Sequence, residues 1–490
     1  MRSKLTTVAL PLLFFAVLGF LTMGYHPGYE DDGIYLAAVK ADLNPALYPH
    51  DAIFFRLQLQ ASLFDTAIAG IVHGTGINLA WVELLLQFLS LAVILWAGRG
   101  IACKLFAETH AQWAAVAMLG AMFTLPVAGT ALFIADQHLH PRNLATMFFM
   151  VAFWLLLKKK IAPAIVCLCL SLVMHPIMGA MGVSFALFLW LFYMDPAAKF
   201  FAPRRRAPLA ALAVIPLFGP PNPAWRQVIE NKSYLFLGHW QWYEWLGVLA
   251  PLALFWLLAR FARQRGQTHL ARFALAVFWF GVAQQTIAIL MLMPPALIRL
   301  APLQPMRYLQ IVYIFLVLIG GGLAGRYLLR RVLWRWAAFL LLLYGSMFLA
   351  QQSLFASTPH LELPGVAANN DWLQAFAWIR LHTPQDAYFA LDPYYLEAPG
   401  EDFHGFRALA ERSQLADAIK DASVVTQVPE LGPIWANQVA AQQGWRQFQL
   451  AGFERLKSDF GVNWVLVAYP HPDGLACRWH NRSLAVCQIP

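Results

Sequence analysis

Apolar runs of bilayer-crossing length recur through most of this chain, with short basic clusters between them, and no other feature limits its fold so tightly. The first run spans roughly Leu5 to Met23. Ten more follow at about 77–98, 112–134, 143–157, 161–174, 177–194, 207–219, 244–259, 272–293, 308–325 and 336–355. A helix needs about 20 apolar residues to cross a bilayer, and backbone inside lipid must satisfy its own hydrogen bonds. About eleven transmembrane helices are therefore expected, a mainly α polytopic bundle. Composition agrees: 60% of residues are apolar and 12% charged, against about 45–50% and 25% in soluble proteins. Soluble domains could not cover that much apolar surface, and a disordered chain would not carry it.

The net charge of +9 invites a nucleic-acid reading, but its distribution refuses it. Residues 1–356 hold 26 Lys and Arg against 12 Asp and Glu, whereas residues 357–490 hold 9 against 14. Nineteen of those 26 cations fall in alternate gaps between runs: Arg2/Lys4, Arg99/Lys104, Lys158 to Lys160, Lys199 with Arg204 to Arg206, Arg260 to Arg272, and Arg326 to Arg335. The other gaps hold only Lys40, Arg56, Arg142, Arg226, Lys232, Arg299 and Arg307. Cytoplasmic loops carry the excess of Lys and Arg, so the N-terminus reads as cytoplasmic. The expected location is the inner (cytoplasmic) membrane, with residues 357–490 periplasmic. No small-x-small cleavage site follows the first run, which reads as a signal anchor.

Two runs are short. Residues 161–194 are too few for two full crossings, yet basic clusters flank them on both sides, and His175-Pro176 breaks them in the middle. A pair of short helices is expected there. The run 207–219 is followed by Pro220-Pro221-Asn222-Pro223, and short helices suggest a cavity or a thinned site. Beyond residue 356 turn formers return. A helix is expected over Trp372–His382, strands over Ala387–Leu391 and Asn463–Ala468, and a terminal hairpin between Cys477 and Cys487. This is a small α/β domain. A Cys477–Cys487 disulfide fits an oxidising compartment, with two free thiols as the alternative; Cys103, Cys167 and Cys169 read as structural.

The segment after the first run, Tyr25-His-Pro-Gly-Tyr-Glu30-Asp31-Asp32-Gly-Ile-Tyr35, opens a loop over residues 24–76. Three consecutive carboxylates at a membrane surface repel one another and resist burial. They need a cation, a substrate that requires a base, or a basic partner; otherwise they form a solvated loop. A first transmembrane helix followed at once by an acidic pair and a long outer loop resembles the GT-C superfamily of integral membrane glycosyltransferases. The stretches Trp378-Ile-Arg-Leu-His-Thr-Pro-Gln-Asp-Ala-Tyr-Phe389 and Phe406-Arg-Ala-Leu-Ala-Glu-Arg412 look like uncharacterised bacterial GT-C-like proteins. The resemblance implies a polyprenyl-phosphate sugar donor and an acidic residue, Asp31 or Asp32, that acts on the acceptor or holds a metal. It also implies a second acidic residue in the next outer loop, which Asp136 matches.

Asp136 stands in Asp136-Gln-His138-Leu-His140-Pro-Arg142-Asn143. Carboxylate and imidazole together suit a divalent metal, so Glu30, His138, His140 and His175 are candidates for metal or substrate. A lipid phosphate would need guanidinium groups, which pair with its oxygens two at a time. Arg307, Arg299 and Arg142 are the candidates, with snorkelling as their bland role. Gly238-His-Trp-Gln-Trp-Tyr-Glu244 reads as an interfacial aromatic belt. P-loop, Gly-x-Ser-x-Gly, His-Glu-x-x-His and dinucleotide signatures are missing. The sequence therefore favours a membrane glycosyltransferase that uses a lipid-linked sugar. Its rivals are a transporter or flippase, for which Glu83 is almost the only intramembrane charge, and an inactive assembly protein.

Overall fold

The computed structural model describes residues 2–194, 222–367 and 370–490; the expected crossing at 207–219 lies outside them. Helix α1 (Arg2–Met23) leads into three short helices, α2 (Asp32–Leu43), α3 (Ile53–Leu59) and α4 (Phe64–Thr75). There follow α5 (Leu79–Leu105), α6 (Thr109–Ala121), a hairpin of β1 (Pro126–Val127) and β2 (Leu132–Phe133), then α7 (Pro141–Leu157) and α8 (Ile161–Met174). Next come α9 (Pro176–Met194), α10 (Pro223–Glu230), α11 (Trp242–Gln264), α12 (Thr268–Leu292), α13 (Pro305–Leu329) and α14 (Leu333–Leu354).

Among the described residues six helices, α5, α9 and α11 to α14, are long and apolar enough to cross a membrane. Val8–Met23 of α1, with α7 and α8, are apolar but shorter. The expected eleven crossings are thus not all matched by full-length helices, and one expectation is corrected. The run 112–134 is not a single span: its helix stops at Ala121 and the rest is hairpin. Pro126 and left-handed Gly129 break the helix. The apolar side chains that made the run look continuous, Val127, Leu132 and Ile134, are buried against protein instead.

Successive helices run between two ends of the bundle. At one end Glu108 before α6 pairs with Arg326 of α13 (2.7 Å), and Tyr193 of α9 meets His269 of α12 (2.8 Å). Helix α6 lies along α13, where Ala111, Ala114 and Ala115 face Gly321 and Gly325. Small residues at such a crossing let two helix backbones approach, which is how helices pack without a hydrophobic drive in lipid. Trp242 and Tyr243 start α11 exposed, as an aromatic belt would.

The opposite end carries a cap. The C-terminal part holds α15 (Asp371–His382), β3 (Tyr388–Ala390), α16 (Phe406–Ala410), β4 (Ser413–Gln414), α17 (Lys420–Gln427), α18 (Gly432–Ala441), α19 (Leu450–Phe460), β5 (Trp464–Ala468), β6 (Ala476–His480) and β7 (Leu484–Gln488). The strands form one mixed sheet in the order β4-β3-β5-β7-β6. Strand β3 is parallel to β4 and β5, the rest antiparallel. A disulfide joins Cys477 to Cys487, which stand opposite each other on β6 and β7.

This sheet region and the loop 24–76 interleave. Ile34, Phe54 and Phe55 share a core with Val424, Val425 and Trp435. Arg407 bonds to Asp51 and, at 2.8 and 2.9 Å, to both oxygens of Asp421. Where the N-terminus of α2 meets that of α16, Gly33 and Gly405 touch backbone to backbone, and a Cβ on Gly405 would fall 2.4 Å from Gly33 Cα. Only glycines permit that approach. Residues far apart in sequence thus build one end of the molecule together.

Candidate functional site

The chain leaves α1 through Gly28, in the left-handed region at φ 82°, and C-terminal backbone holds the turn. Glu30 N donates to Phe403 O (2.9 Å), and Gly405 N donates to Gly28 O (2.8 Å). The three carboxylates then part. Asp32 turns back into the interior, where its Oδ2 accepts from Gly28 N at 2.6 Å. Burial, and then the Glu83 charge, push its carboxyl well above the usual carboxylate range. Glu30 turns to the rim and bonds to Lys420. Asp31 faces a cavity of about 270 Å³ at the cap end of the bundle.

Helix starts supply most of the cavity's walls. His140 caps α7, its Nδ1 accepting from Arg142 N at 2.9 Å. His175 links α8 to α9. Gln304, left-handed at φ 47°, turns the chain into α13 and aims Arg307 inward. Ser423, Thr426 and Gln427 of α17 close the opposite side. Asp31, His140, Arg142, His175 and Arg307 therefore meet in one cavity.

Charge inside it is unevenly matched. Arg142 gives Nε and Nη2 to the two oxygens of Asp136 at 3.0 and 2.7 Å, while its Nη1 stands 3.8 Å from Asp31 Oδ2. Burial would raise the Asp136 carboxyl, but the Arg142 charge and hydrogen bonds outweigh it and hold the group below its ordinary range. Arg307 has His175 Nε2 at 3.3 Å, its buried Nε has no hydrogen-bond partner, and no carboxylate pairs with it among the described residues. Two guanidinium groups and one facing carboxylate suit an anion beside a base.

Other expected site residues lie elsewhere. Asp136 does not line the cavity; it is the counter-ion that aims Arg142, with its backbone fixed by Gln87 (2.7 Å) and Asn143 (3.0 Å). His138 is buried behind Tyr29 with neither ring nitrogen bonded, and burial pushes it down to about 4. Arg299 is exposed on the segment before Gln304, on the far side of the turn that brings Arg307 in. Among the described residues no group of three or more His, Cys, Asp or Glu is arranged to hold an ion. Asp136 is committed to Arg142, and His140 Nδ1 to its own helix cap.

Sequence reading missed Lys420. Its side chain is largely buried, its Nζ lies 3.1 Å from Asp31 Oδ1, and Glu30 is its second partner. Burial pushes its amine down to about 7. A lone lysine in Ala-Ile-Lys-Asp carries no local sign that it will meet Glu30, 390 positions away. Also missed was a second buried cluster, on the other side of the same turn. His26 Nδ1 meets Glu362 Oε1 at 2.7 Å, and His404 Nε2 meets both Glu362 oxygens at 3.1 and 3.2 Å. Burial opposes both charges in the second contact, yet the pairing holds Glu362 near 2 and lifts His404 to about 9.

No protein-family model matches this chain, and no curated protein sequence does. Among solved structures it is similar to the archaeal oligosaccharyltransferase AglB from Archaeoglobus fulgidus in complex with an inhibitory peptide and a dolichol-phosphate. That likeness has 12% identity and a TM-score of 0.45, over 94% of this chain and 69% of the other. Two further Archaeoglobus fulgidus oligosaccharyltransferase structures, one with Zn and sulfate and one in the apo form, give TM-scores of 0.40 and 0.34. Identity is again 12%, with 94% of this chain covered and 68% and 69% of theirs.

Proposed function

We propose that this chain is a membrane glycosyltransferase that moves a sugar from a polyprenyl-phosphate donor to an acceptor hydroxyl at the outer membrane face. The observation that carries the reading is the meeting of Asp31 with Arg142 and Arg307 in one cavity at the end of an apolar helix bundle. In this reading Asp31 takes the proton of the acceptor hydroxyl. The acceptor oxygen bonds to the anomeric carbon as the bond from that carbon to the phosphate oxygen breaks, and the electron pair leaves with the phosphate. Arg307 and Arg142 receive that charge from preset positions. Attack opposite the leaving phosphate inverts the anomeric centre. Residues 1–356 form the membrane part with a cytoplasmic N-terminus, and residues 357–490 lie in the periplasm.

The test is transfer by the purified chain in lipid nanodiscs from a radiolabelled polyprenyl-phosphate monosaccharide. Asp31→Asn keeps the shape and removes the base, so the rate should fall about 10²–10⁴-fold. Arg307→Ala should weaken donor binding as well as turnover, since phosphate charge is present in ground and transition states alike. Full transfer by Asp31→Asn would remove the base from the scheme.

A further inference from the structure

We infer that Lys420, supplied by the C-terminal part of the cap, is a positioning residue that keeps Asp31 from closing onto Arg142. The inference takes its consequence for turnover from the glycosyl-transfer reading, but its geometry stands without it.

The two Asp31 oxygens are held differently. Oδ1 lies 3.1 Å from Lys420 Nζ, whereas Oδ2 stands 3.8 Å from Arg142 Nη1 and 3.9 Å from His140 Nε2. Those longer separations are attractive but not bonded, and like a drawn spring they persist only because the other oxygen is anchored. Opposite charges 4 Å apart in a partly buried site attract strongly, and guanidinium and carboxylate close readily into a two-bonded pair. Released from Lys420, Asp31 would swing to Arg142 Nη1. That closure would take the guanidinium edge left free by Asp136 and the proton acceptor, both at once.

Lys420 is fixed well enough to prevent it. It begins α17, where its backbone N donates to Asp417 Oδ1 at 2.5 Å. The next residue, Asp421, is gripped by Arg407, which also bonds to Asp51 beside α3. Glu30 takes a further bond from the ammonium. Both ends of the contact are thus tied to the same interleaved cap.

The full-length protein in nanodiscs can be titrated with polyprenyl phosphate, which carries no sugar and reports the anion seat alone. Lys420→Met should weaken binding about tenfold, the worth of one charge-assisted hydrogen bond. Lys420→Arg should keep most of the affinity. Adding Asp31→Asn to Lys420→Met should restore binding to the wild-type level, because a neutral amide does not capture Arg142; a misfolded cap would not be rescued this way. Turnover of Lys420→Met should fall on the order of 10²-fold, the cost of a misplaced reacting group. Wild-type affinity in Lys420→Met, or a double variant no better than Lys420→Met, overturns the inference. So does a wild-type protein that binds no lipid phosphate. If binding is lost and rescued as stated while the wild type transfers no sugar, the lysine's role stands and the glycosyl-transfer reading falls.

Discussion

Two buried charge clusters flank the turn that follows α1, and they differ in one respect that separates structure from chemistry. On the His26 side both Glu362 oxygens are engaged by histidines, and the adjoining cavity of about 450 Å³ is walled mainly by Leu, Pro and Ala side chains. On the Asp31 side Arg307 pairs with no carboxylate among the described residues and opens on a polar cavity. Strongly perturbed groups occur on both sides, His404 near 9, Glu401 near 8 and Glu362 near 2 on the first and Lys420 near 7 on the second. Perturbation alone therefore does not mark a site, since structural ion pairs perturb too. Uncompensated charge facing an open cavity does.

The sharpest way to break this contrast is to exchange the expected phenotypes. Asp31→Asn should lose about 10²–10⁴-fold in rate while its unfolding temperature stays near that of the wild type. Glu362→Gln should do the reverse. Removing one partner of a buried pair leaves the other uncompensated, at about 3–5 kcal/mol. The linkage of His26, Glu362 and His404 would loosen, but molecules that remain folded should transfer sugar normally. Thermal unfolding and single-turnover rates on the same samples decide the matter. A Glu362→Gln protein that is stable but inactive would make the His26 side catalytic.

How much of this was readable in the sequence follows from the range of the interactions. The apolar runs, their basic punctuation and the acidic segment behind α1 are local patterns, and each has a direct physical meaning. Five residues named from local context, Asp31, His140, Arg142, His175 and Arg307, line one cavity because all sit at helix starts or turns at the same end of the bundle. The run 112–134 misled because hydropathy cannot distinguish side chains facing lipid from side chains buried under Trp240 in a hairpin. Asp136 was assigned chemistry because its bidentate grip on Arg142 is a matter of geometry. Lys420, and the interleaving of the loop 24–76 with the sheet region, depend on pairings across hundreds of residues.

A smaller effect is expected from pH, and it sharpens the His26 side. His404 titrates above its ordinary value of 6.5, so its contribution to stability is complete below about pH 6.5 and is lost as pH rises through 9. Glu362 lies below its ordinary 4.5, so its contribution holds above 4.5 and is lost as pH falls through 2. Glu401, raised by burial to about 8, adds a loss that accumulates as pH rises from about 4.5 to 8. His26, lowered by burial, prefers to stay neutral and penalises acid. Lys420, at about 7, works the other way above neutrality, so the useful quantity is wild type minus His404→Gln. That difference in unfolding temperature should shrink steadily from pH 6.5 to 9. A constant difference would mean that His404 is not charged in the folded protein.

The smallest effect should come from the neighbour of the proposed base. Asp32 is adjacent to Asp31 in sequence, yet its carboxyl is buried, accepts from Gly28 N, and is pushed well above its ordinary 3.8 by burial and by Glu83. A raised acid favours its protonated form in the folded state, so charging it costs stability as pH climbs above 3.8. Asp32→Asn retains an oxygen to accept from Gly28 and removes that cost. Its stability should lie within about 1 kcal/mol of wild type at pH 4, and its advantage should grow as pH rises towards neutrality. Transfer should change little, because Asp32 does not reach the cavity. Near-complete loss of transfer in Asp32→Asn, with Asp31→Asn active, would exchange the roles of the two carboxylates and move the reacting centre into what is now the interior of the cap.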